Sequence, residues 1–322
     1  MRIITQGMRL PATPNDVRAA YRLLLGREPD PQGFAHWCVQ AEASALDTQG
    51  LCAMITQSEE YRRHPPEERG VDIGGATVFV NPWDHDMGAS IVTHRTWESH
   101  LRAVLARCLK PGDVFVDIGA NIGVMSFDAA RLVGPQGRVI AFEPEPRNMR
   151  LLLRGIAANG FAHVSAFALA LSDAPRIVSM TGNSNGTVIA ADPLMGLVQA
   201  IPGDELLAGQ PRIDMIKLDI EGHEPAALRG LRRTLQRHRP LVLCEFNPLR
   251  LGGPGSEGCA TLLNRIFSIT GRLTAIQHDG AETAIDSQEA LMALWRLRDA
   301  EVTASGYLPA GQVHMDLLFR VA

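Results

Sequence analysis

The stretch that decides the fold is Gly112-Asp-Val-Phe-Val-Asp117-Ile-Gly119-Ala-Asn121-Ile-Gly123. Its β-branched and aromatic run, Val114 to Ile118, reads as a buried strand that enters a glycine turn. Val124, Phe127, Leu132 and Val133 then recur near a period of 3.6, which predicts a helix directly after the turn. A strand, a glycine turn and a helix N-terminus together form a seat for the polar part of a nucleotide-like ligand. Dinucleotide binders space their glycines as Gly-x-Gly-x-x-Gly so that the backbone can meet a pyrophosphate. Here the order is Asp117-x-Gly119-x-Asn121-x-Gly123, and the acid ahead of the turn would repel a pyrophosphate. An acid suits a ligand with an ammonium group and ribose hydroxyls, which points to S-adenosylmethionine (SAM).

Downstream, more apolar runs end on acids. Arg138 to Phe142 ends at Glu143, which either takes ribose hydroxyls or serves the start of the helix carrying Met149, Leu152, Leu153 and Ile156. Val164 to Leu171 ends at Ser172-Asp173, where a carboxylate would meet an adenine amino group. Ile213 to Leu218 ends at Asp219-Ile-Glu221-Gly-His223-Glu224, and Leu241 to Cys244 at Glu245-Phe-Asn247-Pro248. Helical patterns separate most of these strands, as expected for a parallel α/β sheet whose ligands bind beyond the carboxyl ends of its strands.

These residues resemble the FkbM-type family of SAM-dependent methyltransferases. The matching pieces are Lys110 to Gly123, Val139-Ile-Ala-Phe-Glu-Pro144, Ala168-Leu-Ala-Leu-Ser-Asp173, Ile216-Lys-Leu-Asp-Ile-Glu-Gly-His-Glu224 and Leu235 to Glu245, in that order. The resemblance runs from about Thr93 to the end and is loose at 181–200 and after Asn247. It implies a Rossmann-like class I fold with a mostly parallel seven-stranded sheet, and methylation of hydroxyl groups on sugars or related metabolites. Asp117, Gly119, Asn121, Gly123 and Glu143 would hold the cofactor, with Asp173 at the adenine. It also implies that Trp97 and Glu98, upstream, lie over the cofactor mouth.

Methyl transfer from a sulfonium is a displacement that depends on positioning. A hydroxyl acceptor needs a base or a metal ion beside it. Asp219 is the first candidate base. His223 either shares the proton work or caps the helix that Pro225 opens, and Glu221 is either a second base or a brace for the loop. Glu245 and Asn247 with Asp219 would alternatively offer three oxygen ligands to Mg²⁺. Asp84-His85-Asp86 reads as a surface turn rather than a metal cluster, because adjacent strand residues point to opposite faces. The segment 181–200, rich in Gly, Asn and Ser, reads as a substrate wall or a lid.

Residues 1–66 form a separate pattern. Thr13-Pro14-Asn-Asp16 is a helix start, followed by Val17, Ala20, Tyr21, Leu24 and Leu25 on one face, with Gly26 as the stop. Asp30-Pro31 opens a second helix with Phe34, Trp37 and Cys38 inward, Leu51, Met54 and Ile55 mark a third, and Ser58-Glu-Glu-Tyr61 a fourth. Such short helices need one another, so a small bundle is expected. Tyr21 to Gly33 with Ser58 to Tyr61 resembles a bacterial helical domain attached to surface-glycan enzymes, which implies docking to a protein partner or a glycan carrier. Residues 67–75 are expected to link it to a methyltransferase domain at 76–322.

Composition narrows the rest. With 322 residues, 46% of them hydrophobic, the chain can bury a large core, and a net charge of −4 gives no reason to expect nucleic acid. The arginines at 229, 232, 233, 237 and 239 read as a solvated helix face. Five scattered cysteines, at 38, 52, 108, 244 and 259, fit a reducing compartment and no metal spacing. No apolar run approaches the ~20 residues needed to span a bilayer. The expected location is cytoplasmic, free or peripheral to the inner membrane. The competing readings are an N-methyltransferase, a non-catalytic scaffold of glycan assembly and, weakest, a dehydrogenase.

Overall fold

The structure, a computed structural model, describes residues 12–25, 27–44, 46–63, 68–82, 84, 87–181, 186–192 and 197–322. Gly26, most of Pro65 to Glu67, His85, Asp86 and parts of the 181–200 segment lie outside the described residues. The chain forms two compact units, 1–69 with 80–94, and 70–79 with 95–322. Within the stretch expected as a linker, Arg69–Asp72 is a strand.

In the first unit, Thr13 and Asp16 cap helix Pro14–Ala20 reciprocally, satisfying backbone N–H groups at its start. Asp30 and Asp47 cap Pro31–Ala43 and Thr48–Gln57. Val17, Tyr21, Leu25, Trp37, Leu51 and Ile55 form one apolar core, the bundle that the periodicity predicts. Arg27 ties it together by bonding Asp30 and Glu60.

The second unit is built on one sheet of eight strands. In chain order they are β1 (Val114–Ile118), β2 (Arg138–Phe142), β3 (Val164–Phe167), β4 (Met215–Leu218), β5 (Leu241–Phe246), β6 (Leu273–Ile276), β7 (Glu282–Ile285) and β8 (Met315–Arg320). Their order across the sheet is β7-β6-β8-β5-β4-β1-β2-β3. The five strands β3, β2, β1, β4 and β5 run parallel. The other three add on antiparallel. The α/β class is as expected; the eighth strand arises because β6 and β7 form an edge hairpin. The reversal of strand order beside β1 leaves a crevice at the carboxyl ends of β1 and β4.

Helices α1 (Ser99–Cys108), α2 (Val124–Val133), α3 (Pro146–Asn159), α4 (Glu224–Gly230) and α5 (Glu257–Ile269) are among those of this unit. Val116, Ile118, Ile140, Phe142, Ile216, Leu218, Val242, Cys244 and Phe246 belong to one core on a single sheet face. All five residues of β1 are buried, as a central parallel strand requires.

The expected third strand is not continuous. It leaves the sheet after Phe167, and Ala170–Ser172 instead joins a second sheet with Val198–Pro202, Arg176–Thr181 and Thr187–Ala190. An unbroken apolar run hides this break, because the change of pairing partner is a tertiary choice.

Candidate active site

At the carboxyl ends of β1, β4 and β5 and the amino end of the antiparallel β8, alternation along the strands brings a polar row onto one sheet face. Asp117 pairs directly with Lys217 in the β1–β4 register. Asp219, two residues beyond Lys217, follows on the same face. Leu218 pairs with Cys244, so Asp219 and Glu245 lie one step further along neighbouring strands. Glu245 faces Asp316 across the antiparallel β5–β8 pair. The row therefore reads Asp117, Lys217, Asp219, Glu245, Asp316.

Lys217 is its cation and is only 4% exposed. Its Nζ lies 2.9 Å from Asp219 Oδ2 and 3.9 Å from Asp117 Oδ1. Burial alone would lower its pKa, but Asp219, Asp117 and Glu98 outweigh that and raise it. Asp117 is fully buried and accepts a hydrogen bond of 2.6 Å from Ser126 Oγ. Its Oδ1 has no hydrogen-bond partner among the described residues. Burial pushes its pKa up, against the pull of Lys217 and Ser126. Asp219 is the more open acid, its side chain 24% exposed.

The turn after β1 explains its glycines. Gly119 has φ +84°, and a Cβ there would lie 1.8 Å from the Asp219 carbonyl oxygen, so the turn presses on the end of β4. Gly123, at φ +97°, is the N-cap of α2, which has no side-chain cap. Asn121 also adopts positive φ, at 51°. Glu143 fastens this loop to the end of β2: its Oε2 accepts from Asn121 N–H at 2.7 Å and its Oε1 from Glu145 N–H at 2.9 Å. The cap of α3 is Glu145, not Glu143. Burial raises the Glu143 pKa to about 7, in spite of these two bonds.

Glu224 braces the turn after β4 in the same way. Buried at the start of α4, it accepts the N–H groups of Ile220 and Gly222, and burial raises its pKa to about 7. Glu221, at φ +56°, pairs with Arg250 at 2.8 Å. Its pKa rises to about 6, through burial and then through Asp219. Glu98 belongs to the site: burial first, then Asp219, raise its pKa to about 8. Glu245 is likewise pushed well up by burial and Asp219, and its Oε2 has no hydrogen-bond partner among the described residues.

Two sequence candidates lie elsewhere. Asp173 sits at the end of the second sheet, where Arg176 binds Oδ1 and Arg229 binds Oδ2 at 2.9 Å. Both oxygens thus face guanidinium groups rather than an adenine seat. His223 makes no cap for α4. Its Nε2 lies 3.0 Å from Ser172 Oγ, and its pKa is lowered by burial and by Arg176. Glu221 and Gly222 between Asp219 and His223 both have positive φ, and the His223 ring meets Ser172, which bonds Asp173. The Mg²⁺ set does not converge either. Lys217 holds Asp219, and Asn247 turns its amide nitrogen to Glu245 at 3.3 Å. Among the described residues no group of three His, Cys, Asp or Glu side chains is placed to hold a metal ion.

Sequence reasoning missed Lys217, Asp316 and the bracing role of Glu224. A lysine inside an apolar parallel strand, two residues from an acid, was the available signal for the first.

Strand order, parallel centre and acids at the switch point define the Rossmann-like fold of class I SAM-dependent methyltransferases. Residues 117–258 match the family model described as the methyltransferase FkbM domain. Hexuronic acid methyltransferase AglP of Haloferax volcanii is 32% identical over 130 residues, which is 38% of this chain and 52% of that protein. Methyltransferase sdnD of Sordaria araneosa is 29% identical over 36% of this chain and 59% of its own. The chain thus spans about half the length of the curated relatives it matches. Methyltransferase FkbM from Methylobacillus flagellatus superimposes with a TM-score of 0.41 at 17% identity, over 73% of this chain and 61% of that one.

Proposed function

We propose that the chain transfers the methyl group of SAM to a hydroxyl of a sugar or a related small metabolite. The observation that carries this reading is the buried row Asp117, Lys217, Asp219, Glu245, in which acids outnumber cations at the carboxyl edge of the sheet. SAM is a sulfonium with an ammonium group, and such an edge favours a cationic ligand.

The residues fit the cofactor. Asp117 Oδ1, lacking a partner, offers an acceptor for the ammonium group. Glu143 accepts one backbone N–H at each oxygen and offers its carboxyl group to the ribose hydroxyls. The turn at Gly119, Asn121 and Gly123 presents the uncapped start of α2. When bound, SAM supplies the methyl group and the leaving thioether. Asp219, open and fixed by Lys217, receives the acceptor's proton. Trp97 and Glu98 border the mouth. Hydroxyl rather than amine acceptors are favoured because Asp219-Ile-Glu-Gly stands where amino methylating enzymes of nucleic acids carry Asn/Asp-Pro-Pro-Tyr.

The helical unit is read as a docking element and the protein as cytoplasmic. No helix of the described residues is long and apolar enough to cross a membrane.

Calorimetric titration with SAM, and separately with NAD, tests the reading. Wild type should bind SAM and not NAD. Glu143→Ala should weaken SAM binding roughly 10- to 100-fold, the worth of one or two hydrogen bonds to a charged group. Absence of SAM binding would leave the non-catalytic scaffold as the better account.

A further inference from the structure

The reaction proposed above leaves a proton behind. The alcohol O–H breaks, a C–O bond forms to the methyl carbon, the C–S electron pair stays on sulfur, and Asp219 gains H⁺. That proton must leave an edge crowded with carboxyl groups.

Beyond Asp219 the polar row continues to Glu245 and then to Asp316, its direct partner across the β5–β8 pair. Asp316 Oδ2 lies 3.4 Å from Nε2 of His100, in the first turn of α1, and the His100 side chain is 6% exposed. The His100 ring stands 5.0 Å from that of His278, centroid to centroid, inclined at 60°. His278 is exposed, in the turn between β6 and β7, with His314 edge-on at 4.2 Å. Titratable groups thus run from the buried strand end to the surface, and the reaction as described uses none of the last three.

We propose that Glu245, Asp316, His100 and His278 form a proton exit, which carries the acceptor's proton from Asp219 to solvent; this rests on the methyltransferase reading. Each hop breaks one O–H or N–H bond and makes another, so the row returns to its starting charge after every turnover. Glu245 suits the first hop because it lies between Asp219 and Asp316 in the row, and burial and then Asp219 push its pKa well up. Its unpartnered Oε2 is available for that exchange. At the outer end His278 stands exposed in its turn, so a proton arriving there is shed to water. The groups facing the row are Lys217 on β4 and Asp219 just beyond it, Glu224 at the start of α4, Glu98 ahead of α1, His314 ahead of β8, and Arg250 and Glu221 in the loops beyond β5 and β4. His100 touches no reacting atom and is a positioning residue for the proton.

The test measures methyl transfer from SAM to a panel of methyl hexopyranosides with wild type, His100→Ala and His278→Gln. His100→Ala should lower kcat about tenfold with both KM values unchanged, and added imidazole should restore most of it. The exposed His278→Gln, which threatens no packing, should lower kcat about threefold and make the rate depend on buffer concentration. Rates within twofold of wild type for both, or a loss in His100→Ala that imidazole leaves untouched while His278→Gln is normal, would overturn the exit. SAM binding without transfer to any sugar hydroxyl would instead overturn the reaction beneath it. Should His100→Ala fail to fold, the buffer dependence of His278→Gln decides alone.

Discussion

Two acidic clusters stand at strand ends in the large unit, and they differ in how their charge is met. At the main sheet edge, Asp117 and Asp219 share one buried lysine, and Glu245 and Asp316 continue the acidic row beside them. At the end of the second sheet, Asp173 alone has two arginines, 176 and 229, and accepts a hydrogen bond from Ser172 Oγ, which His223 Nε2 approaches at 3.0 Å. The second cluster is neutralised by its own chain and can hold that part of the fold together without a ligand. The first keeps an excess of acid in a buried place, a cost of about 1 to 3 kcal/mol for each unmet polar group unless something cationic arrives. A carboxylate at a strand end is therefore informative only with its counter-charges.

The strongest way to break this comparison is to exchange the fates of Asp219 and His223. Asp219→Asn should reduce kcat by about 10²- to 10⁴-fold and leave SAM binding within a few-fold, because only the proton acceptor is lost. His223→Gln, which keeps a bond to Ser172, should alter kcat by no more than about threefold. Equal losses would place the histidine back in the reaction. Next in size is Lys217→Met. Removing the cation leaves Asp117 and Asp219 facing each other, so stability should fall by about 3 to 5 kcal/mol in urea unfolding. A variant as stable as wild type would mean that the row is protonated throughout.

Much of this edge is legible in the sequence, and the reasons it is not wholly so are physical. Asp117, Glu143, Asp219 and Glu245 each end a β-branched or apolar run, and a parallel sheet stacks such ends at one edge, so local pattern suffices. Lys217 reads in isolation as a blemish in Met-Ile-Lys-Leu. Only the register that sets it opposite Asp117 gives it a role. Asp316 arrives from the last strand, and nothing near it in sequence announces that β8 inserts beside β5. His223 follows Asp219 by four residues, but its contact with Ser172 depends on a turn with positive φ at Glu221 and Gly222, which periodicity does not reveal. The surroundings of Asp173 were not legible because its apolar run looks like one strand and is two.

The clusters should also oppose each other in pH. Burial holds Glu143 and Glu224 at about 7 and, helped by Asp219, Glu98 at about 8, all above the ordinary 4.5 of the unfolded chain. The folded chain therefore binds more protons than the unfolded one across that window, and stability declines as pH rises through it. Asp173 behaves in the opposite sense: although burial pushes its pKa up, Arg229 and Arg176 bring it below the usual value, so its contribution is lost as pH falls. Scanning calorimetry from about pH 5 to about pH 8 should show a declining Tm, with a shallower decline in Glu143→Gln. A Tm that climbs steadily over this range would contradict the buried excess of acid.

The smallest expected effect belongs to the neutralised cluster and is the most exacting test of the contrast. Arg229 is half exposed, with its side chain at 48%, and Arg176 remains on Asp173 when it is removed. Exposed ion pairs contribute about 0.2 to 1 kcal/mol, so Arg229→Ala should lower Tm by no more than about 4 °C. Its SAM affinity and kcat should equal those of wild type, since neither Asp173 nor Arg229 borders the row from Asp117 to Asp316. If SAM binding fell tenfold with so slight a loss of stability, Asp173 would have to reach the cofactor after all. The two clusters would then be one site, with the second sheet as its adenine wall.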